Sequence, residues 1–83
     1  MVVIVGMTGP FGEDICAWSK RCEMHCRLLE IEYKFLKFDI GMAKNPPEEV
    51  AKYWVSDKPL PIVWVDDELI GGFYDLIERF PVL

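Results

Sequence analysis

A chain of 83 residues holds one domain, 1–83, around one core, because domains this small bury only a modest fraction of their surface. An apolar fraction of 52% with eleven aromatic residues (three Trp, three Tyr, five Phe) excludes a disordered chain. A formal net charge of -5 argues against the clustered Lys and Arg surface on which nucleic-acid binding rests.

The apolar opening over residues 1–5 is too short for a signal segment or a membrane span and has no basic flank. Three cysteines, an odd number, suit a secreted disulfide framework poorly, so a cytoplasmic protein with free or transiently oxidised thiols is expected.

Residues 2–5 form a β-branched run, the pattern of a strand buried on both faces, expected to end at Gly6. Residues 7–15 carry two more glycines, Pro10 and the acidic pair Glu13-Asp14, and read as a surface loop leading into a helix. From 17 to about 31 there is no Gly or Pro, and Cys22, Cys26 and Leu29 recur at helical spacing as a core-facing stripe. Glu23, Arg27 and Glu30 fall on another face and are expected in solvent. Residues 33–40 offer β propensity through Phe35, Leu36, Phe38 and Ile40. Asn45 is a candidate N-cap before Pro46-Pro47-Glu48-Glu49, a helix opening expected to continue to about 55. Residues 62–65 and 68–70, joined through Asp66-Asp67, read as an antiparallel hairpin whose turn lacks the usual glycine. A last helix over 73–80 is stopped by Pro81. The order βαβαββα implies an α/β fold, a four-stranded mixed sheet with three helices, because the opening βαβ unit requires a parallel strand pair.

The chemistry centres on Cys16. A helix N-terminus presents unpaired N–H groups and a partial positive charge, which bias a cysteine there toward thiolate, the attacking species in disulfide exchange. Cys16 follows an irregular loop and precedes a helical pattern, with Trp18 two residues on. Glu13 and Asp14 work against this, since nearby negative charge disfavours thiol ionisation.

Three motifs in order, Cys16-Ala17-Trp18-Ser19, Leu60-Pro61 and Gly71-Gly72-Phe73-Tyr74-Asp75, resemble those of the glutaredoxins, members of the thioredoxin-fold superfamily. The resemblance covers nearly the whole chain. It implies the thioredoxin/glutaredoxin fold and a glutathione-dependent thiol–disulfide oxidoreductase with Cys16 as nucleophile and Ser19 in the resolving position. By the same resemblance Pro61 is a cis proline, Leu60 offers its backbone to glutathione in a miniature of strand addition, and Lys58 faces a glutathione carboxylate. Gly71 and Gly72 would permit close backbone approach, Phe73 and Tyr74 would present backbone N–H groups to the other carboxylate, and Asp75 would take the ammonium. Trp18 would wall the groove.

Ser19 stands where dithiol members carry their second cysteine, so the one-thiol route through glutathione mixed disulfides is implied. The acidic loop before Cys16 is longer than usual and resembles the small glutaredoxins of some bacteriophages. A rival register, Ser19-Lys20-Arg21-Cys22, would make Cys22 the motif thiol; in the preferred register Cys22 and Cys26 pack inertly in the core. Cys16, Cys22, His25 and Cys26 can be drawn as a zinc site, but they lack the paired-ligand spacing, and His25 is expected at the solvated surface. The alternatives are a monothiol glutaredoxin carrying a [2Fe-2S] cluster, whose usual members have Gly and Phe inside the motif, and an inactive glutathione-binding module. The partners implied are glutathione and disulfide-bearing or glutathionylated proteins such as ribonucleotide reductase, served by a monomer.

Overall fold

The computed structural model describes residues 1–9, 11–13, 17–42, 44–55 and 60–82. Strand β1 (Val2–Thr8) is the spine of the sheet, with Val2 to Val5 each 5% exposed or less. It runs through the expected stop at Gly6 to Thr8, because β2 (Tyr33–Asp39) pairs with it in parallel through Gly6↔Lys37, Met7↔Phe38 and Thr8↔Asp39. A glycine ends a strand only where no neighbour holds its backbone, and here one does. On its other side β1 pairs antiparallel with β3 (Ile62–Val65), which pairs antiparallel with β4 (Glu68–Gly71). The order β2-β1-β3-β4 is the expected four-stranded mixed sheet.

Alternation along β1 sends side chains to opposite faces. On one face Val2 and Ile4 join Val63 and Val65 under Cys22 and Cys26 of α1 (Ala17–Leu28) and Leu76 of α3 (Phe73–Arg79). On the other Val3 and Val5 join Leu36, Phe38, Ile62 and Val50, the last from α2 (Glu48–Ala51). Each such fully buried aliphatic side chain contributes about 1.5–3 kcal/mol of transfer free energy. None of the helices among the described residues is long and apolar enough to cross a membrane.

Helix α1 ends earlier than residue 31, in a Schellman turn. Glu30 adopts φ 55, its N–H donates to the Arg27 carbonyl at 3.2 Å, and Ile31 N–H donates to the Cys26 carbonyl at 2.8 Å. Ile31 then packs against the same cluster as Cys26, the apolar contact that accompanies this motif. Glu23 is not free in solvent as expected: its carboxylate accepts from the Tyr33 hydroxyl at 3.0 Å, and Arg27 Nε donates to the same hydroxyl at 2.9 Å.

The second helix differs most from expectation. Asn45 is not its N-cap; Pro47 takes that position with φ -54 and ψ 149, and its carbonyl accepts from the N–H groups of Val50 and Ala51. The helix stops at Ala51 because the aromatic residues that follow are drawn onto the sheet. Trp54 meets Phe38 edge-on at 5.1 Å, Tyr53 meets Trp64 at 5.7 Å, and Trp64 Nε1 donates to the Tyr53 carbonyl at 3.0 Å. The hairpin turn forms without glycine: Asp66 and Asp67 both take positive φ, 48 and 68, the requirement of the two-residue turn that matches strand twist. The Asp66 carboxylate pairs with the N-terminal ammonium, which holds its carboxyl below the usual range.

Candidate functional site

The first turn of α1 sits directly on β1, and Gly6 is the reason it can. A Cβ at Gly6 would lie 2.9 Å from the Phe35 ring and 3.0 Å from Ser19 Oγ. Ser19 is thereby pressed to 2% exposure, and its hydroxyl has no hydrogen-bond partner among the described residues.

Beside this helix start runs β3. The β1–β3 register pairs Val5 with Ile62, so Pro61 lies one step beyond, at the same end of the sheet as Gly6. The Leu60–Pro61 peptide is cis, as the resemblance implied. A bulge between Val63 and Trp64 then sets Gly71 opposite Val63, and the chain turns into α3.

The glycine pair is asymmetric. Gly71 adopts φ +124, and a Cβ there would fall 2.3 Å from Asp75 Oδ2, so no other residue fits without displacing that carboxylate. Gly72 is extended (φ -118, ψ -154), and a Cβ there would meet only the Pro61 carbonyl at an ordinary 3.5 Å. Within the protein itself, the lack of a side chain is required at Gly71, by its backbone angle and by Asp75, and is not required at Gly72. Asp75 Oδ2 accepts from Gly72 N–H at 2.9 Å, which fixes the first turn of α3.

These pieces enclose a cleft of about 350 Å³ lined by Trp18, Leu60, Pro61, Gly71, Gly72, Phe73, Tyr74 and Asp75, all expected from the sequence, together with Ile62 and Leu69. The sequence places Ile62 and Leu69 only in the hairpin; they reach the cleft because Leu60, Ile62 and Leu69 pack on the same face of the sheet. Trp18, Phe73 and Tyr74 form a three-ring wall with centroids 5.4–5.5 Å apart, and the Arg21 guanidinium lies 4.4 Å over Trp18. Among the lining residues the charged side chain is the Asp75 carboxylate. Cys16 and Lys58 lie outside the described residues, and helix α1 opens at Ala17, the next residue after Cys16.

The other thiols are core atoms. Cys22 and Cys26 are fully buried, and burial, helped by Glu23, pushes the Cys26 thiol up to about 11. His25 is 8% exposed rather than solvated: its Nε2 lies 2.8 Å from the Phe80 carbonyl, to which it donates. Helix α3 ends over α1 at that point, so the buried face of α1 is Ser19, Cys22, His25 and Cys26, while Leu29, expected on that stripe, lies just past the helix end and is only half-buried.

No protein-family model matches this sequence, and no curated protein matches it. Among solved structures, the glutaredoxin of E. coli aligns over 98% of this chain and 98% of its own, with a TM-score of 0.50 and 22% sequence identity. The likeness establishes the fold: the chain adopts the glutaredoxin form of the thioredoxin fold.

Proposed function

We propose that this protein is a glutathione-dependent thiol–disulfide oxidoreductase that reduces glutathione mixed disulfides through Cys16. The cleft carries this reading, because it joins the start of α1, immediately after Cys16 in the chain, to the Leu60–Pro61 segment and the Gly71–Asp75 turn. Glutathione lies along Leu60 and Pro61, its ammonium toward Asp75, one carboxylate toward Lys58, and its body against Trp18, Gly72, Phe73 and Tyr74.

The Cys16 thiolate attacks the glutathione sulfur of a mixed disulfide; a Cys16–glutathione disulfide forms and the partner leaves as a thiolate that takes up a proton. A second glutathione thiolate attacks the glutathione sulfur, giving oxidised glutathione and restoring the Cys16 thiolate. The sum is one disulfide consumed and one formed, with glutathione supplying the electrons. Ser19 has no sulfur, so the enzyme cannot resolve the intermediate internally. Glutathionylated proteins, ribonucleotide reductase among the candidates, are its substrates, and the chain acts as a monomer in the cytoplasm.

Glutathione-coupled reduction of a small glutathione mixed disulfide tests this. Cys16→Ser abolishes turnover, while Cys22→Ser and Cys26→Ser retain it. Absence of turnover in the wild-type protein, or loss confined to Cys22→Ser, overturns the assignment to Cys16.

A further inference from the structure

The outer side of α1 carries a second surface that the cleft does not explain. Met24 and Leu28, one helical turn apart, are 62% and 69% exposed. They line a shallow groove with Arg21, His25, Arg27 and Phe73. Phe73 also lines the cleft, so the two surfaces are continuous.

Their charges are opposite. The charged group lining the cleft is the Asp75 carboxylate, whereas the charged residues lining the groove are Arg21 and Arg27, with no carboxylate among them, in a chain of net charge -5. Both guanidinium groups are held in place: Arg21 over the Trp18 ring at 4.4 Å, and Arg27 through its bond to the Tyr33 hydroxyl and an ion pair with Glu23 at 3.9 Å, which leaves Arg21 as the stronger attraction for a partner carboxylate. Fixed arginines, methionine and an aromatic ring are the residue types that interface centres favour, and pre-positioned side chains lose less entropy on binding. A glutathione mixed disulfide has two halves, and the cleft accounts for only one.

We propose that the groove along α1 receives the protein half of the mixed disulfide, and that the partner segment there is apolar and acidic. The partner's apolar side chain packs between Met24, Leu28 and Phe73, and its carboxylates face Arg21 and Arg27. This rests on the reaction proposed above; the groove selects which glutathionylated protein is deglutathionylated, while the cleft holds the glutathione.

The test compares three substrates: the glutathione–2-mercaptoethanol mixed disulfide, which reports on the cleft alone, and two glutathionylated peptides whose cysteine is flanked by Leu with Glu or by Leu with Lys. The Leu/Glu peptide is expected to show kcat/KM about tenfold above the Leu/Lys peptide, a difference that shrinks with added salt. The double variant Met24→Glu/Leu28→Glu, at exposed positions outside the cleft, is expected to lower the Leu/Glu peptide about tenfold and leave the small substrate unchanged. Equal turnover of the two peptides, or equal loss on peptide and small substrate, overturns the proposal. So does a concentration-dependent dimer of the wild type that this variant dissolves, which would give the face to a second copy. If the small substrate is not turned over, the proposed function fails by itself. Backbone amide shifts on adding the S-methylated Leu/Glu peptide then decide the groove: shifts centred on Met24 and Leu28 sustain it, and shifts elsewhere or none overturn it.

Discussion

The two faces of the sheet are built by different means. One is covered by two helices, α1 and α3, whose ends supply Trp18, Phe73, Tyr74 and Asp75 to the cleft. The other is covered by the single turn of α2 and then by aromatic residues on irregular backbone, Tyr53 and Trp54, and it supplies apolar floor through Leu60, Ile62 and Leu69. Directional groups come from helix ends, where backbone geometry is fixed; the opposite face needs only volume. Damage to the two faces should therefore read out differently.

The largest expected effect is on the aromatic face. Phe38 is 4% exposed and in edge contact with Trp54, and Phe38→Ala is expected to lower stability by about 3–5 kcal/mol in denaturant unfolding. Activity per folded molecule should hold, since Phe38 does not line the cleft. A changed KM for the small substrate in the folded fraction would erase the distinction between the faces.

On the helical face stability and activity should fall together. Gly71→Ala forces a side chain onto φ +124 and into the Asp75 carboxylate, for a loss of about 1–3 kcal/mol and a raised KM, whereas Gly72→Ala stays within about 0.5 kcal/mol. Thermal melts and steady-state kinetics of the pair measure this. Equal penalties at both glycines would show that the turn is held by something other than Gly71 and its contact with Asp75.

The smallest effect sharpens the comparison by pH. The Cys26 thiol is raised from 9.0 to about 11 in the folded protein, so the unfolded chain loses that proton first as pH rises. The associated stability is fully present below about pH 9 and is lost progressively between about 9 and 11. Cys26→Ala is expected to flatten this alkaline limb in urea titrations at stepped pH. An unchanged limb would locate the alkaline sensitivity elsewhere than at Cys26.

The elements and their order were legible because their signals are local: the β-branched run at residues 2–5, the long stretch free of Gly and Pro before residue 31, and the hairpin around Asp66-Asp67. What was not legible depends on partners distant in the chain. β1 continues through Gly6 because β2 holds it, α2 ends early because Trp54 finds Phe38, and His25 is buried because α3 ends over it at Phe80. The cleft was legible by resemblance at eight of its ten lining positions, and the asymmetry between Gly71 and Gly72 was not, since it follows from one backbone angle and one carboxylate.

The contact of Ser19 with Gly6 has an electrostatic consequence. With that hydroxyl closed off from solvent, the underside of the first turn of α1 is a low-permittivity medium, in which the partial positive charge of the helix is attenuated far less than it would be by water. How low that permittivity is depends on how tightly a serine is seated on a glycine.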